Sequence, residues 1–100
     1  MVLFGSGGVA IELYKDYGLA ACPVTEDEAD DLISRTKAGT LIGAFRGRPA
    51  MDRDVIRRTL ASLSELMLDG GDRLASVEIN PFTVRQNGGV SLDALIVKED

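Results

Sequence analysis

Histidine and tryptophan are both missing from these 100 residues, and cysteine occurs once, at position 22. Without histidine the chain can host no imidazole base, no Ser-His or Cys-His nucleophile and no His-ligated zinc. A lone Cys22 cannot close an internal disulfide, which fits a reducing, cytoplasmic setting. No apolar run approaches the roughly 20 residues of a membrane span. The first residues lack the basic and long apolar segments of a secretory signal, so neither a membrane nor export is expected. Aromatics are 5% of the chain and the net charge is −5. With no basic stripe or stacking platform to offset that charge, a nucleic-acid partner is not expected. The chemistry left to the chain is that of carboxylates, arginines, amides and backbone N–H groups. Hydrophobic residues at 45% and charged residues at 27% suit one soluble domain with a single modest core.

The most informative stretch runs from Ser76 to Val97. It reads as two β-strands joined at Asn87-Gly88, residues that tolerate positive φ. If those two form the whole loop, Gln86 faces Gly89, Val84 faces Ser91, Asn80 faces Leu95 and Glu78 faces Val97. Side chains alternate along a strand, so Glu78, Asn80 and Asp93 emerge on one face, with Asp93 diagonal to Asn80. Val77, Ile79, Leu92, Ala94 and Ile96 turn to the other side, taken as core. Clustered carboxylates repel unless a cation compensates them, and Mg²⁺ favours such oxygen donors together with substrate phosphates. The same three side chains also suit the solvated face of an antiparallel sheet, and spacing leaves both readings open. Pro81 cannot donate to a ladder and could mark a bulge that breaks the parity.

Upstream, Val2-Leu3-Phe4 is a short apolar run leading into Gly5-Ser6-Gly7-Gly8. Alternation over Val9–Tyr14 predicts a strand with Glu12 opposite the aliphatics. Lys15-Asp16-Tyr17-Gly18 reads as a turn, and Leu19–Cys22 as a returning strand stopped by Pro23. The glycine cluster lacks the Gly-Lys-Ser/Thr ending of a P-loop; a bend and an anion cradle both fit it. Thr25-Glu26-Asp27-Glu28 is a capping box, and Ala29, Leu32, Ile33 and Thr36 continue at helical spacing towards a stop at Gly39. The acidic run Glu26–Asp31 is the solvated start of that helix, where negative charge suits the dipole. A short apolar segment, Thr40–Phe45, precedes Arg46-Gly47-Arg48-Pro49, whose arginines could hold a phosphate or pair with surface acids. Asp52 or Asp54 can cap a second helix striped by Ile56, Leu60, Leu63 and Met67 and closed by Gly70-Gly71. The expected class is α+β: a mainly antiparallel sheet packed with two helices.

Three segments together resemble a known family. Phe4–Glu12, Phe45–Pro49, and Glu78-Ile79-Asn80-Pro81 with Leu92-Asp93-Ala94 look like the ATP-grasp region of NDP-forming acyl-CoA synthetases, relatives of the succinyl-CoA synthetase β-subunit. The similarity spans residues 1–100 in order. It implies the C-terminal, Mg-binding part of an ATP-grasp domain, with ATP or ADP and Mg²⁺ as cofactors. By position Asn80 and Asp93 match the magnesium ligands, and Glu78 the neighbouring carboxylate. Arg46 and Glu12 match residues on the nucleotide side. The implied activity is phosphoryl transfer between a nucleotide and an acyl-phosphate or phosphoenzyme intermediate. The family's relay histidine cannot be in this chain, so no catalytic residue is assigned, and the isolated chain is not expected to be active. The expected partners are nucleotide and the rest of the synthetase: the other ATP-grasp half and the CoA-binding and ligase domains. The alternative is a non-catalytic interaction module with the same fold. On either view, edge strands of a partial sheet invite pairing, and a homodimer fits.

Overall fold

The computed structural model describes residues 1–6, 17–43, 47, 49–79 and 82–99. In chain order the elements are β1 (Val2–Gly5), β2 (Tyr17–Ala20), α1 (Glu26–Ser34), α2 (Lys37–Ile42), α3 (Arg53–Gly70), a 3-10 turn (Gly71–Arg73), β3 (Leu74–Ile79), β4 (Phe82–Val84), β5 (Gly89–Ser91) and β6 (Ala94–Lys98). The strands pair antiparallel as β1–β2, β3–β6 and β4–β5, and the helices pack beside them, which is the α+β class expected.

Helix α1 begins where its capping box dictates. The Glu28 N–H donates to Thr25 Oγ1 at 3.1 Å while the Thr25 N–H donates to Glu28 Oε1 at 3.4 Å. Ala29, Leu32 and Ile33 are fully buried on its inner face. The helix stops at Ser34 rather than at Gly39, because Thr36 starts a new helix by accepting the Gly39 N–H at 2.9 Å. Gly39 therefore lies inside α2, where a Cβ would sit 1.9 Å from the Ile33 carbonyl oxygen. Glycine is needed there for close approach, not for termination.

Helix α3 is capped by Asp52, whose Oδ1 accepts the Val55 N–H at 3.1 Å, and Gly71 closes it at φ +54°. Its buried stripe is Ile56, Leu60 and Ser64; Leu63 and Met67, expected in the core, are only half-buried. Ser64 Oγ accepts the Val24 N–H at 2.8 Å, so a hydroxyl occupies the stripe to satisfy a backbone donor from the strand-to-helix connection. Arg53 clamps α1 to α3, its Nε 2.6 Å from Asp30 Oδ1 and its Nη2 donating to the Asp30 carbonyl and to Ser34 Oγ. Asp30 is thus paired across helices, unlike the freely solvated face expected of Glu26–Asp31. Val2, Val24, Ile42, Ile56 and Leu60 complete the core around α1.

Three sequence-based expectations change in the strands. Tyr17 and Gly18 belong to β2 rather than to a turn, and β2 runs Tyr17–Ala20 instead of Leu19–Cys22. It pairs with β1, Val2 against Ala20 and Gly5 against Tyr17. The strand expected over Val9–Tyr14 lies outside the described residues. In the C-terminal hairpin the register is offset by two from the expected one: Val84 pairs with Gly89 and Glu78 with Leu95. The turn explains this. The Arg85 N–H donates to the Gly88 carbonyl at 2.9 Å, which places the reversal at Gln86-Asn87 and leaves Gly88 just beyond it at φ +85°. A glycine of positive φ following the reversal is the usual way to close a longer hairpin loop. The shift is even, so within β3–β6 Glu78 keeps the side opposite Val77 and Ile79, whereas in β4 it is Phe82 and Val84 that turn to the core.

The hydroxyl of Ser64 supports a direct stability test. Ser64→Ala leaves the buried Val24 N–H unpaired and should cost about 1–3 kcal/mol in urea denaturation, whereas exposed Ser62→Ala should be near neutral.

Candidate nucleotide-phosphate site

The hairpin arms form one interrupted ladder. Ile79 pairs with Ala94 and Phe82 with Ser91, so two residues intervene on each strand and no net bulge separates β3–β6 from β4–β5. A register shift occurs only further out, between Leu74 and Ser76. The exposed acids sit beside the interruption. Glu78 is exposed on β3 opposite Leu95, and Asp93 is exposed immediately before β6. Asp93 lies two residues from Leu95 along its strand, the diagonal spacing from Glu78 that side chains can bridge. Asp93 Oδ1 accepts the Ala94 N–H at 2.9 Å, which orients the carboxylate and leaves its second oxygen for other donors or a cation.

The two sides of the β3–β6 ribbon differ from what was expected. Val77 and Ile79 are half-buried towards α3, yet Leu92 and Ile96 on the nominal core side are 61% and 56% exposed. On the Glu78 side, Leu95 and Val97 are also exposed. Both faces of β6 are therefore open, and the acids emerge among aliphatic side chains. Asn80, Arg46 and Glu12, the other expected site residues, lie outside the described residues. Among the described residues no three acidic, cysteine or histidine side chains gather into a ready-made metal cluster. The donors present, two exposed carboxylates on one ribbon, fit a hard cation that completes its shell with further oxygens.

Asp52 was legible only as a helix cap; its larger part in the site region was not. Its Oδ2 accepts the Gly88 N–H at 2.7 Å, and its own N–H donates to the Arg85 carbonyl at 2.6 Å. The hairpin turn is thereby tied to the N-terminus of α3. These bonds, first that from Gly88 and then that from Val55, hold the Asp52 carboxyl below its ordinary value of 3.8 against the opposing effect of burial.

A model of the ATP-grasp domain matches residues 1–97, and the chain belongs to that family. Its likeness is to the ATP-grasp part of ADP-forming acyl-CoA synthetases. It is 33% identical over 97 residues to acetate–CoA ligase (ADP-forming) I of Archaeoglobus fulgidus, covering 97% of this chain and 14% of that protein. It is 32% identical over 98 residues to the β-subunit of acetate–CoA ligase (ADP-forming) II of Pyrococcus furiosus, covering 96% of this chain and 42% of that subunit. Among solved structures it superposes with a TM-score of 0.89 and 29% identity on the dinucleotide-forming acetyl-coenzyme A synthetase 1 of Ca. Korarchaeum cryptofilum, in complex with coenzyme A and Mg-AMPPCP. That match covers 97% of this chain and 45% of the other. The chain thus spans less than half the length of the relatives it matches. No helix among the described residues is long and apolar enough to cross a membrane.

The carboxyl of Asp52 gives a pH prediction. Its pKa is lowered on folding, so its stabilising contribution is complete above the unfolded carboxylate value and fades as pH falls towards the folded one. The stability gap between the unsubstituted chain and Asp52→Asn should hold steady from about pH 5 to 7 and shrink below about pH 4, read by denaturation at each pH.

Proposed function

We propose that residues 1–100 are the C-terminal, metal-binding part of an ATP-grasp domain, supplying the phosphate side of the nucleotide site in an ADP-forming acyl-CoA synthetase. The observation that carries this reading is the β3–β6 pairing, which sets exposed Glu78 opposite Leu95 and so diagonal to exposed Asp93. Glu78, Asn80 and Asp93 would then hold Mg²⁺ through oxygen alone, the donor chemistry this ion prefers. When bound, the ion neutralises phosphate charge as the phosphoryl group moves. Arg46, in the Arg-Gly-Arg-Pro segment, would bind phosphate oxygens through its planar donors, and Glu12 would contribute from the nucleotide side.

The similar synthetase bound to Mg-AMPPCP carries a phosphohistidine segment pointing towards its nucleotide site. This chain has no histidine, so the phosphoryl acceptor must come from elsewhere in the assembly. The role left to these residues is to bind and orient, through the carboxylates of Glu78 and Asp93, the amide of Asn80 and the guanidinium of Arg46. The rest of the synthetase is the partner this requires, and the assembly is a soluble cytoplasmic one.

Calorimetry with Mg-ATP and Mg-ADP, on the chain alone and joined to the remaining ATP-grasp half, tests the reading. Binding that depends on Mg²⁺ and weakens about ten- to a hundredfold in Asp93→Asn is expected, on the scale of a disturbed metal site. No nucleotide binding by the joined protein, or affinity untouched by Asp93→Asn, would contradict it. A second reading is a non-catalytic module that binds subunits. The exposure of Leu92, Leu95, Ile96 and Val97 favours it, since β6 offers an apolar edge for strand pairing. Sedimentation that shows self-association with no nucleotide response would select it.

A further inference from the structure

Asp52 divides its two carboxylate oxygens between elements that are far apart in sequence. Oδ1 receives the Val55 N–H at 3.1 Å and caps α3; Oδ2 receives the Gly88 N–H at 2.7 Å and grips the hairpin turn 36 residues away. Its backbone N–H, donating to the Arg85 carbonyl at 2.6 Å, closes the grip from the other side. A helix cap needs only one acceptor. The second oxygen and the backbone donor are spent on the hairpin alone.

The hairpin so held is continuous in register with the ribbon that carries Glu78 and Asp93. Phe82 and Val84 of β4 also pack against the core, so the turn is fixed at its base and at its tip. Two-stranded ribbons are marginal by themselves, and β6 has no buried residue to anchor it. The placement of Asp93 therefore depends on what holds the far end of its hairpin.

We infer that Asp52 is a positioning residue for the proposed cation–phosphate site, locking the hairpin that presents Asp93 against the N-terminus of α3. This rests on the reading above that the ribbon binds a divalent cation. Asp52 does not itself touch the ion; it sets where the donors stand, as groups behind metal ligands commonly do.

Two substitutions separate this role from capping. Asp52→Ser keeps one side-chain acceptor for the Val55 N–H and removes the second oxygen; Asp52→Asn keeps one carbonyl oxygen and turns the other position into a donor that cannot accept the Gly88 N–H. Mn²⁺ alone, titrated into the ¹⁵N-labelled chain, is the probe, and paramagnetic broadening of amide signals around Glu78 and Asp93 is the readout. Amide-exchange protection of Val55 and the α3 core is followed in parallel. The expected result is broadening localised to those residues in the unsubstituted chain. Both variants should retain α3 protection, lose protection at Gly88, and bind Mn²⁺ about ten- to a hundredfold more weakly. Localised broadening with unchanged affinity in whichever variant retains α3 protection would overturn the role of Asp52 and leave the site standing. Absence of localised broadening in the unsubstituted chain would overturn the site, and the role with it.

Discussion

The antiparallel ladder of the C-terminal hairpin is the constraint on which the rest depends. Pair spacing along such a ladder repeats, and Phe82 against Ser91 sets the count nearest the turn. Ile79 against Ala94 continues the same count across the interruption. Glu78 and Asp93, eight and six residues from the Gln86-Asn87 reversal, are thereby delivered to one ribbon. Parity is what matters: a slip by one would send Glu78 to the α3 side and Ile79 to solvent.

The helical layer gives that ribbon a base. Buried Leu32 and Ile33 of α1 pack with Ile56 and Leu60 of α3, and Val2 of β1 joins the same cluster. The Arg53 clamp to Asp30 and Ser34 and the Ser64 bond to Val24 bind α1 and the connection before it to α3. Asp52 then joins that base to the hairpin. The chain belongs to the ATP-grasp family and resembles the ATP-grasp part of ADP-forming synthetases, which supports the proposal that this ribbon faces a further half of a nucleotide site.

Local rules made part of this readable from residue order alone. The Thr25–Glu28 capping box, the Asp52 cap and the glycine closing α3 act within one helical turn, and each appears where the sequence puts it. The faces of Glu78 and Ile79 were also readable, because alternation survives an even error in the turn. What could not be read comes from distant pairing. Ser64 looks like an interruption in an apolar stripe until the Val24 N–H, 40 residues away, arrives beside it. Gly39 looks like a helix stop because its closeness to the Ile33 carbonyl depends on the path between two helices. The second partner of Asp52 and the openness of both faces of β6 are likewise set by tertiary placement.

The central claim is that oxygen donors from adjoining strands share one divalent cation. Crystals of the chain joined to its nucleotide-binding half, grown with Mn²⁺ and a non-hydrolysable ATP analogue, would test it through anomalous scattering. The account predicts a single peak at the ribbon with Asn80, Asp93 and phosphate oxygens about 2.0–2.2 Å away and Glu78 beside them, the spacing of a small hard cation. A metal held elsewhere, or side chains of Asn80 and Asp93 on opposite sides of the ladder, would contradict it.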